Sequence, residues 1–156
     1  MSYFVLTFLH VVGASVLLGT GAGIAFFMLL AHLSRNTVVI AGVARIVVIA
    51  DFVFTATAVV VQPITGALLV THVGYSFFDA WVLWSLVLYL VTGAFWLPVV
   101  VMQMRMRDLA QAAVKTGADL PRAYHVLFRW WLAFGFPAFV AVLAIFWLMI
   151  AKPQSF

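Results

Sequence analysis

The chain has 156 residues, 67% of them hydrophobic and 8% charged, with a formal net charge of +4. A soluble domain carries about 25% charged residues, so this composition excludes water as the main solvent and points to a bilayer. Without cysteine, disulfides, thiolate metal sites and iron–sulfur clusters are excluded as well, and no run of Lys or Arg of the kind that binds nucleic acid is present.

A membrane-spanning helix needs about 20 apolar residues, and four segments reach that length: 3–33, 44–71, 79–104 and 127–151. The first is too long for the apolar core of a cleavable leader and has no basic region before it, so it is expected to be a span. It contains TFLHVVGASVLLGTGAGIAF over residues 7–26. On a helix turning about 100° per residue, Ala14 lies about 40° from His10 and Gly21 about 20°, with Gly13 on the flank. One stripe thus carries an imidazole followed by small residues, as a flat iron macrocycle requires. The same pattern also suits plain helix packing, with the imidazole bonded to a neighbouring carbonyl. Gly19 and Gly23 face the other way as a GxxxG pair suited to helix contact and to a homodimer.

In the second segment, Asp51 is expected to pair with Arg45, Arg129 or a residue of the third span; a proton relay is the other reading. Gln62-Pro63 marks a kink, with Gln62, Thr55 and Thr65 placed to satisfy backbone carbonyls around it, and His72 closes the span. The third segment opens on Asp79 as N-cap and passes the Leu97-Pro98 break. Residues 105–126 then form a polar helical hairpin, stopped by Lys115-Thr116-Gly117 and restarted by Asp119-Leu120-Pro121. The fourth segment contains Phe136-Pro137. The β-branched run at 59–61 does not alternate with polar residues as barrel strands do. The expected fold is therefore all-α: a single-domain, integral membrane four-helix bundle.

Of the eight Lys and Arg, Arg35, Arg45, Arg105, Arg107, Lys115, Arg122 and Arg129 fall on the side of the 1–2 and 3–4 connections, and only Lys152 on the other. The positive-inside rule then places both termini on the non-cytoplasmic side. Tyr3, Tyr75, Trp81 and Trp84 would belong to an outer aromatic belt, and Tyr124 and Trp130 to an inner one.

Ionisable groups at membrane depth are candidate functional groups: here His10, Asp51, His72 and, nearer the inner face, His32 and His125. His10 and His72 sit at similar depth on neighbouring spans, so His10 can serve as an axial ligand to haem iron with His72 as the second. His32 with His125 could hold a second haem, although solvated histidines beside headgroups look the same. Glutamate is absent, and no hydrolytic constellation or phosphate loop can be assembled.

Three stretches carry a resemblance. Leu9-His10-Val11-Val12-Gly13 is similar to the first helix of the HemJ-type membrane protoporphyrinogen oxidases and of the copper-resistance protein D superfamily. Gln62-Pro63-Ile64-Thr65-Gly66-Ala67-Leu68-Leu69 resembles that group's second helix, and the ending from Arg129 through Pro137 to Lys152-Pro153 resembles its last. Within the superfamily the chain looks most like a family of small four-helix bacterial integral membrane proteins of undefined function. The resemblance implies haem b bound through His10, in the bacterial inner membrane. The lysine that the HemJ-type enzymes carry early in the third helix is missing from WVLWSL at 81–86, so it does not carry porphyrinogen oxidation with it. Nor do the methionines, of which Met102, Met104 and Met106 lie together, form an external copper relay.

The function expected from the sequence is a haem-b-binding membrane protein with a redox role, one haem or two, whose groove is Gly13, Ala14 and Gly21. Its partner would be a quinone, a cytochrome or a porphyrin. The alternatives are a carrier or channel for a small apolar or porphyrin-like molecule, and a structural subunit dimerising through Gly19 and Gly23.

Overall fold

A computed structural model describes residues 2–153. Helix α1 spans Tyr3–Leu33. Helix α2, Thr37–Ala50, runs through a π-helical turn, Asp51–Thr55, into α3, Ala56–Val73. Helices α4, Ala80–Thr116, and α5, Arg122–Ala151, complete the chain. Among the described residues there is no strand, and the α2–π–α3 unit counts with α1, α4 and α5 as four helices long and apolar enough to cross a membrane.

The helices outrun the apolar segments because local stop and start chemistry, rather than hydropathy, sets their ends. At one end of the bundle, the hairpin face, α1 passes into α2 through Ser34, Arg35 and Asn36. Arg35 adopts φ 55°, and the Asn36 side chain accepts from the N–H groups of Val38 and Val39 at 3.0 and 3.2 Å. That cap starts α2 at Thr37, seven residues before the continuous apolar run. Likewise α4 continues to Thr116 and stops at Gly117, whose φ of 64° suits a residue without Cβ. Helix α5 begins right after Pro121, so Asp119 stands too early to cap it. At the opposite end, the terminal face, Asp79 does precede α4. Its carboxylate accepts from the Ser76 N–H at 3.0 Å instead of capping the helix.

The π turn was not foreseen. Pro63 lies inside α3 and has no N–H to offer the Val59 carbonyl. The Tyr89 hydroxyl of α4 donates to that carbonyl instead.

Helix α1 lies along α2 and α3, α4 lies along α5, and α2 joins the pairs by packing on α4. The main core gathers toward the hairpin face: Met28 and Ala31 of α1, Ile40 and Ala44 of α2, Met106 and Ala110 of α4, Tyr124 and Phe128 of α5. Toward the terminal face the buried apolar cluster shrinks to Val70, Trp81 and Val82. There Lys152, at φ 42°, holds its ammonium 5.1 Å from the Tyr75 ring and 5.6 Å from the Trp81 ring, a cation–π contact at the end of α5.

A histidine fixed between two helices as the candidate functional site

His10 is half-buried, two turns into α1, and faces α3. The helices come close because three positions allow it. A Cβ at Gly13 would lie 2.8 Å from the Gln62 amide nitrogen, and one at Gly66 would lie 3.2 Å from Cε1 of His10. The Gln62 amide fills the space left by Gly13 and donates to the His10 backbone carbonyl at 2.8 Å. The His10 ring in turn rests in the space left by Gly66.

The ring is also oriented chemically. His10 Nδ1 lies 2.9 Å from Thr65 Oγ1. The Thr65 hydroxyl also lies 2.9 Å from the Val61 carbonyl and 3.2 Å from the Gln62 carbonyl of its own helix. With its one proton given to either carbonyl, it accepts from His10. That arrangement puts the hydrogen on Nδ1 and leaves Nε2 a lone pair. Nε2 has no hydrogen-bond partner among the described residues and is not one of the sealed, unpartnered atoms of the interior. A neutral imidazole with Nδ1–H anchored to an oxygen and Nε2 accessible is the form in which histidine binds metals. Among the described residues no three His, Asp or Glu side chains converge, so a metal at Nε2 would need its other ligands from elsewhere, as in a porphyrin.

The remaining expected residues divide. Gly13 is buried against Gln62, so its missing side chain admits the amide rather than leaving a groove. Ala14 is half-buried, and nothing lies within 4 Å of where a Gly21 Cβ would stand; both remain available. His72 is not brought to His10. It follows Thr65 by two turns, about 10 Å along α3, is exposed, and stacks on Tyr3 with ring centroids 6.2 Å apart.

Near the hairpin face His32 and His125 do meet, their centroids 5.7 Å apart and their planes inclined at 70°. Phe128 lies flat on His32 at 3.8 Å, and Tyr124 closes the same group at 5.9 Å. The result is an aromatic stack with the His32 face covered.

Asp51 is 3% exposed. Its partner is on the third span, as one of the expectations had it, but is the uncharged Trp96, whose indole N–H donates to Oδ1 at 3.3 Å. Neither Arg45 nor Arg129 reaches it. Among the described residues the ion pair formed is Arg107 with Asp108, at 2.8 Å on the surface.

Sequence reasoning placed Gln62, Thr65 and Thr55 at backbone carbonyls around Pro63; Thr65 bonds there, whereas Gln62 reaches the His10 carbonyl on α1 and Thr55 Oγ1 has no partner. It did not foresee that Gln62 and Thr65 converge on His10, nor that Gly66 accommodates its ring. The available sign was the compact Gln62-Pro63-Ile64-Thr65-Gly66 stretch, where residues 62, 65 and 66 share a helix face.

Comparison with known families returned a match over residues 4–153 to a family described as predicted integral membrane protein (DUF2269). Neither the curated proteins nor the solved structures yielded a match.

Proposed function

The chain belongs to this family of predicted integral membrane proteins, and we propose that it binds haem b through Nε2 of His10 and serves a redox role in the bacterial inner membrane. One observation carries the reading. The Thr65 hydroxyl has two backbone carbonyls of its own helix within reach, Val61 and Gln62, and serving either one favours the Nδ1–H form of His10, with Nε2 left as a free donor atom. A merely structural histidine in an apolar helix would be expected to use both nitrogens or seal them.

The donor set fits the group. A single oriented imidazole supplies one axial bond while the macrocycle supplies the rest, and no protein-built metal cluster competes among the described residues. When bound, haem supplies a one-electron iron couple whose potential follows its axial ligand and surroundings. The chain's own residues do the holding. Thr65 keeps the ring from rotating, Gly66 lets it lie against α3, and Gln62 ties the His10 backbone to the same helix. Ala14 and Gly21 are the proposed ring-facing positions. One haem is proposed, with His10 as the protein ligand; the aromatic stack at His32 and His125 supports packing there.

The bias of basic residues supports a cytoplasmic hairpin face, which puts His10 near the outer leaflet. A quinone, a periplasmic cytochrome or a porphyrin reached from that leaflet is the corresponding partner. The test is a pyridine haemochrome assay on protein purified from haem-replete cells. Stoichiometric haem b in the parent and none in a folded His10→Ala variant is expected. A colourless, folded parent protein overturns the proposal.

A further inference from the structure

The π turn Asp51–Thr55 stands apart from the His10 site. It lies about 10 Å along the helix axis inside the hairpin-face end of the apolar run 44–71 and about 21 Å from Thr65, so it sits within the span, nearer the hairpin face. Helix geometry is locally widened there: the Ala56 N–H donates to the Asp51 carbonyl, five residues back, a feature that often marks functional sites. Asp51 is 3% exposed and Thr55 6%. Trp96 serves Oδ1, while Asp51 Oδ2 and Thr55 Oγ1 are both buried without a hydrogen-bond partner. Residues four apart in so wide a turn share a face, so the two unpartnered oxygens belong to one site.

No cationic group faces this carboxyl. Helix α1 has no titratable residue between His10 and His32, α2 offers only Arg45, which is exposed, and α3 has none before His72. On α4 the nearest titratable group is Tyr89, whose hydroxyl is held by Val59, and the nearest charge is Arg105. On α5 it is Arg129, which is exposed. A bare carboxylate buried at this depth would be unfavourable by several kcal/mol. A proton removes the charge, and Oδ2 and Thr55 Oγ1 can then pair with either one as the donor. A sodium ion would need several oxygens around it, whereas here the neighbour of Oδ1 is an indole N–H that repels a cation.

We propose that the Asp51–Thr55 turn is an intramembrane proton-binding site, with the proton carried on the Asp51 carboxyl. Protonation forms the O–H bond at Oδ2, the proton coming from water at the hairpin face, with no change of oxidation state. Two further buried, unpartnered atoms continue toward that face: Gln103 Oε1 and the Tyr124 hydroxyl. Gln103 lies about 10 Å beyond Trp96 on the same side of α4, and Tyr124 follows on α5. They mark the entry route. This inference does not rest on haem binding.

Infrared spectroscopy of the full chain in lipid nanodiscs tests it. At neutral pH the parent should show the carbonyl stretch of a protonated carboxylic acid, shifted down in D₂O. The band should vanish in Asp51→Asn, persist in Asp108→Asn and move in Thr55→Val. It should bleach on raising the pH at constant sodium. Gln103→Leu should slow its deuterium exchange at least several-fold. Because Asp51→Asn could fold poorly, Asp51→Glu is the companion variant and should restore a band. A parent spectrum showing only carboxylate stretches overturns the site. So does a band that survives in Asp51→Asn, or one that sodium chloride removes at fixed pH, which would make it a metal-cation site. An unchanged exchange rate in Gln103→Leu overturns the route.

Discussion

Toward the hairpin face the helices meet through volume. Met28, Ile40, Met106 and Tyr124 are each at or below 1% exposure, and Phe128 stacks on both His32 and Trp131. Toward the terminal face α1 and α3 meet through small residues and hydrogen bonds: Gly13 against Gln62, Gly66 against His10, Thr65 against Nδ1. Lipid tails are as apolar as leucine, so neither half is driven together by hydrophobic transfer; packing and polar contacts decide. A volume-packed half resists motion but offers no ligand. A half joined by glycines and amides stores less packing energy and presents an oriented imidazole. The contrast sets a packed end, which the proposed proton route crosses, against an end that presents an imidazole.

Removing volume from the first half should have the largest effect. Phe128→Ala deletes the ring that joins His32, Tyr124 and Trp131, and should cost about 3–5 kcal/mol, as large-to-small core changes do. Reversible unfolding in mixed micelles measures it. A cost below that of an exposed Phe78→Ala control (Phe78 is 87% exposed) would show that the core is not where stability resides.

In the second half the same contrast can be drawn between two glycines on one helix. Gly13→Ala would push the Gln62 amide off the His10 carbonyl, losing a hydrogen bond worth about 1 kcal/mol and leaving the amide to find another partner. Gly19→Ala meets nothing within 4 Å and should be neutral or stabilising by up to about 1 kcal/mol through helix propensity. Equal effects at the two positions would erase the distinction between a glycine used inside the chain and one left facing outward.

Thr65→Val keeps the volume and removes the acceptor for Nδ1–H. The fold should survive, and under the proposed haem ligation the affinity for haem should fall about 10-fold or more, the usual cost of losing the partner of a ligating histidine. Titration of the purified protein with haemin reads it. Unchanged affinity would mean that the Thr65 contact orients nothing.

How much of this was legible beforehand follows from the range of the forces involved. The four spans and the hairpin extension could be read because hydropathy, Gly117 and the proline positions act through neighbouring residues. Helix starts were misplaced where a single cap outweighs hydropathy: Asn36 launches α2 well before the apolar run, and Pro121 rather than Asp119 precedes α5. His10 could be singled out from its stripe, since 3.6-residue periodicity is intrinsic to one helix. Its partners could not, because Gln62, Thr65 and Gly66 reach it only through the pairing of α1 with α3. Similar depth was the reason for pairing it with His72, but His72 stands two turns along α3 from the level of His10. The partner of Asp51 was sought among arginines; the buried site chose an uncharged indole, and the π turn that holds it leaves no mark in composition.

The smallest expected effect concerns one unpartnered polar atom of the volume-packed half. Tyr124 is fully buried, yet its hydroxyl has no hydrogen-bond partner, and burial of the phenol pushes its shape, not its polarity, into the contact with His32 and Phe128. If that hydroxyl is only a cost of retaining an aromatic ring there, Tyr124→Phe removes a desolvated polar atom without leaving a cavity and should be neutral or stabilising by about 1 kcal/mol. If instead the hydroxyl belongs to a hydrated route toward Asp51, removing it strands the water it holds, and the same variant should lose stability and slow exchange at the Asp51 carboxyl. Unfolding and exchange measured on this one variant therefore distinguish a half built purely for packing from one that also admits protons.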